Sequence, residues 1–140
     1  MIYLDSSAVM KVVRAEEESD ALREWLVTRA DEAVVTSELG RVEVLRAAGR
    51  LGAGAAAEAR AVLGDVDLVP LDRAVQDLAA EVGGPLLRTL DAVHLASALV
   101  LGDAVSAVVC YDVRLADAAR AAGLTVATPA PAPPPSAPEA

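Results

Sequence analysis

The sequence predicts an α/β fold built on a small, mostly parallel sheet. Short apolar runs at residues 2–4, 33–35, 66–69, 107–110 and 124–127 alternate with amphipathic segments at helical spacing. Strands separated by helical crossovers give parallel pairing. The chain is 54% hydrophobic and lacks Phe, so its core must be Leu, Val and Ala, which suits helices packed on a small sheet. At 140 residues it is long enough to bury one such core.

In chain order, residues 2–5 read as a buried strand, and Ser6 and Ser7 offer an N-cap to a helix through Val13. Residues 16–20 form a charged link. Asp20 is a candidate cap for a second helix, with Leu22, Trp25 and Leu26 on one face. A strand at 33–36 follows, then Ser37 as cap of a helix carrying Leu39, Val42 and Leu45. Residues 55–63 read as an Ala-rich helix and residues 66–69 as a strand. Asp72 caps a helix reaching Val82, which Gly83-Gly84-Pro85 ends. Residues 90–101 make the strongest helix. A strand at 107–110, a helix at 115–122 and a short strand at 124–127 complete the domain, 1–127. Residues 128–140 are almost all Pro and Ala and read as a flexible tail.

The net charge is −9, whereas a module that simply holds nucleic acid is usually basic. That balance does not exclude an enzyme that meets nucleic acid through metal ions. Cys110 is the only cysteine, so neither an intramolecular disulfide nor a Cys-based zinc site can form. The N-terminus lacks a signal-peptide pattern, and no apolar run reaches the ~18 residues of a membrane helix. A cytoplasmic protein with no membrane contact is expected.

Four acids fall where apolar runs end or inside amphipathic helices. Asp5 closes the first strand and Asp112 follows the fourth; Glu43 and Asp91 lie on helices. In an open parallel sheet, ligands bind beyond the carboxyl ends of the strands, where Asp5 and Asp112 should project. Carboxylates gathered there repel one another, and a hard divalent cation relieves that repulsion. Each acid also has a plainer role available: a turn at Asp5, a solvated face at Glu43, a helix first turn at Asp91, a strand end at Asp112. Spacing alone leaves the shared metal pocket and these separate roles level.

Their flanks resemble a known family. Met1-Ile2-Tyr3-Leu4-Asp5-Ser6-Ser7-Ala8-Val9 resembles the opening of PIN-domain ribonucleases, and more closely the VapC toxins of bacterial toxin–antitoxin pairs. Thr36-Ser37-Glu38-Leu39-Gly40-Arg41-Val42-Glu43-Val44 is similar to their second acidic motif. Leu87-Arg88-Thr89-Leu90-Asp91-Ala92-Val93-His94-Leu95-Ala96 is similar to the third, and Tyr111-Asp112-Val113-Arg114-Leu115-Ala116 to the fourth. The resemblance runs from Met1 to about Thr128, with all four motifs in register.

It implies a PIN-like domain, with helices on both sides of the sheet, and Mg²⁺- or Mn²⁺-dependent cleavage of RNA. Asp5, Glu43, Asp91 and Asp112 would be the catalytic and metal-binding acids, with Asp5 and Asp91 the primary ligands and Ser6 a supporting hydroxyl. It also implies a VapB-type antitoxin partner, a homodimer and a toxin–antitoxin hetero-oligomer. One departure is Cys110, where many members carry Ser or Thr. Arg88 and Arg114 flank the third and fourth acids and could touch RNA phosphates or pair with the acids. Arg41 and Arg46, either side of Glu43, pose the same choice. The resemblance makes His94 part of the helix motif rather than a catalytic group, and Cys110 reads as a small core residue. A PIN-fold scaffold without catalysis is the alternative, against which stand the four acids. A receiver domain would need a late Lys, and the only Lys is Lys11. A haloacid-dehalogenase-type phosphatase would need an acid at position 7, which is Ser.

Overall fold

The computed structural model describes residues 1–139. Its central strand, β1 (Ile2–Leu4), lies between β2 (Val34–Ser37) and β4 (Ala107–Val109). Outside these lie β3 (Asp67–Val69) and β5 (Val126–Ala127), giving the order β3-β2-β1-β4-β5. Every pairing is parallel, as expected. Leu4 stands opposite Val109, so β1 and β4 end level, and the Asp5 N–H donates to the Val109 carbonyl at 3.2 Å.

That order matters for the site. From β1 the chain builds outward through β2 and β3, then returns to add β4 and β5 on the other flank. The crossovers diverge between β1 and β4, and a crevice opens at the strands' carboxyl ends there. Asp5 emerges from β1 and Asp112 from the segment after β4, on its two sides.

Among the described residues, seven α-helices cover both faces of the sheet. The β1 pleat turns Ile2 and Leu4 to one face and Tyr3 to the other. Ile2 and Leu4 pack under α1 (Ser6–Val13), α2 (Ser19–Val27), α3 (Glu38–Leu51) and α4 (Ala53–Gly64), through Val9, Leu22, Val44 and Leu63. Tyr3 packs under α5 (Arg73–Ala79), α6 (Thr89–Val100) and α7 (Val113–Ala121), through Val75, Leu95 and Leu115. Val109 joins the first core, Val108 and Cys110 the second.

Helix starts follow side-chain caps, though not always the expected ones. Ser37 and Asp72 cap α3 and α5, as their positions predict. The cap of α1 is Asp5 itself, not Ser6 or Ser7. Asp20 falls in the first turn of α2, whose Glu18 cap makes no side-chain bond. The α5 helix stops at Ala79, short of Val82. Gly83 and Gly84 then turn the chain at φ +83° and +71°, a region Gly enters without a Cβ penalty.

Residues 128–139 contain no helix or strand, and residue 140 of the expected tail lies outside the described residues. The start of this segment is tied down, because the Tyr111 hydroxyl donates to the Pro129 carbonyl at 2.8 Å. Among the described residues, no helix is long and apolar enough to cross a membrane.

Candidate active site

Asp5 is only 5% exposed, yet it carries a carboxylate. Its Oδ1 accepts the Ala8 N–H at 2.9 Å and the Ser7 hydroxyl at 2.8 Å. The first bond closes the N-terminus of α1, where orphan amides favour an acceptor. Both protein donors fall on one oxygen, which leaves Oδ2 uncommitted. Burial pushes the Asp5 carboxyl above its ordinary range against those two bonds and the nearby His94, and Asp91 adds to the rise. The hydroxyl that touches Asp5 belongs to Ser7; Ser6, the expected support, lines the adjoining cleft with Ser7.

Asp91 stands in the first turn of α6, half-buried, and makes no capping bond there. Burial raises its carboxyl first, then Asp112 and Glu43 raise it further, while His94 and Arg88 pull it down. Asp112 caps α7, its Oδ1 accepting the Leu115 N–H at 2.9 Å. Glu43, half-buried on α3, meets His94 Nε2 with its Oε1 at 2.7 Å. Each acid thus interacts with at least one other, and four separated positions share one electrostatic neighbourhood. Among the described residues, no three acid, thiol or imidazole groups converge closely enough to chelate an ion unaided.

Glu43 opens on a cleft of about 460 Å³, bounded by Ser6, Ser7 and Met10 of α1, Leu39, Val42, Arg46 and Arg50 of α3, and Leu90. Arg46 and Arg50 are exposed, one turn apart on the face that carries Glu43, and neither forms an ion pair among the described residues. Arg88 is close enough to lower the Asp91 carboxyl, which fits a role beside the acids. Arg114 borders a different groove, with Leu86, Leu87 and Asp117.

Cys110 is fully buried and its thiol is pushed up to about 12, chiefly by burial and then by Asp5, with Arg120 opposing and Asp112 and Asp91 adding less. A thiol held protonated there is a core side chain, as expected, and no nucleophile. Sequence reasoning passed over three groups. Ser7 was visible only through its two-residue spacing from Asp5, which permits a local side-chain bond. Arg50 was one helical turn beyond Arg46. The Tyr3–His94–Glu43 contacts had one signal: a lone His in an apolar helix needs a partner for each nitrogen.

A parallel sheet with acids at its switch point matches a described class. The family model for the PIN domain matches residues 2–121, and the chain belongs to the PIN-domain family. Ribonuclease VapC46 of Mycobacterium tuberculosis (strain ATCC 25618 / H37Rv) is 45% identical over 128 residues, covering 91% of this chain and 97% of that protein. Ribonuclease VapC47 of M. tuberculosis (strain CDC 1551 / Oshkosh) is 41% identical over 132 residues, covering 92% and 97%. Within the family the chain is a VapC-type ribonuclease toxin. Among solved structures, the M. tuberculosis VapC20 toxin, described as cleaving the sarcin–ricin loop, superposes with a TM-score of 0.69 at 17% identity, over 89% of this chain and 97% of that one. VapBC2 from Rickettsia felis, bound to a DNA fragment from its promoter, superposes at 0.67 and 12% identity, over 91% and 98%. At those identities the structures speak for the fold.

Proposed function

We propose that this nuclease is an endoribonuclease dependent on Mg²⁺, or Mn²⁺ in its place, which works through Asp5, Glu43, Asp91 and Asp112. The observation that carries the reading is electrostatic: Asp5 and Asp91 both have raised carboxyls, and each is raised in part by another acid of the set. A site built to hold negative charge against its own cost suits a cation. The donors facing it are oxygens, which suits a hard ion. Among the described residues the acids do not form a closed chelate, so waters and substrate phosphates would have to complete the coordination of a bound Mg²⁺. Asp5 and Asp91 are the proposed primary ligands, with Glu43 and Asp112 completing the set.

When bound, such an ion offsets charge on the phosphoryl oxygens and eases deprotonation of the attacking water. The chain supplies the rest. Ser7 and the α1 amide hold Asp5 in one orientation, and burial keeps bulk water from it. Glu43, at the cleft wall, is placed to orient a water or take its proton. Arg46 and Arg50 are proposed to hold phosphates flanking the cut, since guanidinium groups match phosphate geometry. Arg88 is placed to help beside Asp91. Arg114, on its separate groove, would meet a more distant part of the RNA.

The inhibitor in this reading is a VapB-type antitoxin, and the names of related two-component complexes support such a partner. Leu86 and Val113, 86% and 71% exposed, leave apolar surface for it near the third and fourth acids. A homodimer and a toxin–antitoxin hetero-oligomer in the cytoplasm remain part of the proposal.

The test is cleavage of total RNA by the purified chain with Mg²⁺, its loss on chelation, and its loss in Asp5→Asn and Asp91→Asn. Each variant should fall by at least about 100-fold. Parent-like cleavage by either variant removes it from the site, and a parent without cleavage under any divalent ion leaves the scaffold reading.

A further inference from the structure

His94 is the only imidazole in the chain and is 2% exposed. Both ring nitrogens have side-chain partners from distant elements. Nδ1 lies 2.7 Å from the Tyr3 hydroxyl on β1, and Nε2 lies 2.7 Å from Glu43 Oε1 on α3. The two rings meet edge to face, with centroids 5.9 Å apart at 75°. Tyr3 is fully buried in the core beneath α6. The Ser97 hydroxyl, on the same helix, donates to the Val93 carbonyl at 2.7 Å.

A phenol has one proton to give, and a carboxylate only accepts. Nε2–H therefore donates to Glu43, and the Tyr3 hydroxyl partners Nδ1, donating to it when the ring is neutral. A row of donors then runs from the middle of the sheet to the cleft wall. Backbone packing holds the ring from the other side. A Cβ at Gly40 would stand 3.1 Å from His94 Cε1 and 2.6 Å from Thr36 Oγ1, so a larger residue there would crowd the imidazole.

We propose that Tyr3 and His94 are positioning residues for Glu43: they hold Oε1 in one orientation and leave Oε2 to the cleft, where phosphate and ion are handled. This rests on the nuclease reading above. A buried imidazole needing only satisfaction could use backbone carbonyls. Here its two partners come from 91 and 51 residues away, and one is the acid that opens on the cleft. Glutamate otherwise has several rotatable bonds to order at each encounter with substrate.

The experiment compares His94→Gln with His94→Asn. Gln carries an amide N–H near the position of Nε2 and can still reach Glu43, whereas Asn reaches only the Nδ1 side. His94→Asn should lower kcat about 10–100-fold with KM for RNA unchanged, and weaken Mn²⁺ affinity comparably, while His94→Gln stays within about 3-fold of the parent. Mn²⁺ affinity is read by electron paramagnetic resonance on protein and metal alone. In a Glu43→Gln background, His94→Asn should lower kcat no further. Tyr3→Phe, which keeps the ring and removes one hydroxyl, should fall between the two His94 variants. Equal losses in Asn and Gln variants that track a falling melting temperature overturn the proposal. So does His94→Asn with parental kcat and Mn²⁺ affinity. A parent that binds Mn²⁺ without cutting RNA sinks the nuclease reading, and the Mn²⁺ comparison still decides whether Tyr3 and His94 position Glu43. A parent that neither cuts nor binds overturns both.

Discussion

Asp5 caps α1 and is nearly closed off from water, two conditions that act on its charge in opposite directions. Burial wins, and the carboxyl is raised. A raised folded-state value means the folded chain holds that proton more tightly than the unfolded chain. The resulting stabilisation is complete below the ordinary carboxylate range and is lost as pH rises through the raised value. Asp5→Asn keeps the accepting oxygen and removes the charge. Without metal it should melt above the parent at pH 7, with the gain shrinking toward pH 4; thermal melts at the two pH values measure it. A gain that grows on acidification would show that the charge costs nothing. Asp112 separates in another way. Asn caps a helix as well as Asp, so Asp112→Asn should leave stability unchanged while Asp112→Ala loses about 1 kcal/mol, and both should cut RNA poorly. Denaturant midpoints and cleavage rates on the same samples read both effects. The acids were legible because strand ends and helix faces leave a local pattern. The partners of His94 were not, since Tyr3 and Glu43 reach it only through folding, and no spacing reports a contact across 91 residues.

At the scale of elements, the site depends on how closely α3 meets β2 and α6. Gly40 is buried at that meeting, where a Cβ would press on Thr36 and His94. Gly40→Ala should cost about 1–3 kcal/mol, as overpacking generally does, and disturb the imidazole with it. Urea denaturation gives the first quantity, and the His94 ring resonances by NMR give the second. A midpoint equal to the parent's would mean that α3 can move away freely. The sequence made the number and order of strands and helices legible, because apolar runs and amphipathic repeats are local. Helix boundaries were less so. The start of α1 at Asp5 rather than at a serine is decided by which oxygen reaches the Ala8 amide, and the end of α5 at Ala79 by the glycine turn beyond it. Sheet order cannot be read from periodicity at all. That β4 returns beside β1 pairs the second edge of the central strand, and this return sets the segment leading to Asp112 next to the end of β1.

Across the whole molecule, the proposed function asks a chain of net charge −9 to bind a polyanion. Affinity therefore has to come from a few placed cations. Arg46→Ala with Arg50→Ala should reduce the slope of log affinity against log salt by about 1.4 for single-stranded RNA, or about 0.7 for each phosphate no longer neutralised. Binding of uncut RNA to the Asp5→Asn protein across a salt series measures it, and an unchanged slope would take the cleft out of the RNA path. The doubling of Asp5 and Asp112 as helix caps also bears on how such a nuclease would decay over generations. If selection for cutting lapsed, the fold would still demand a capping side chain at both places. Substitutions there would drift to Asn, Ser or Thr rather than to apolar residues, and Glu43 would be held by the buried His94, whereas Asp91, which closes no helix, would be released first. A descendant could then keep acids at Asp5 and Asp112 and cut nothing, so Asp91 is the better record of whether a relative still works as an enzyme.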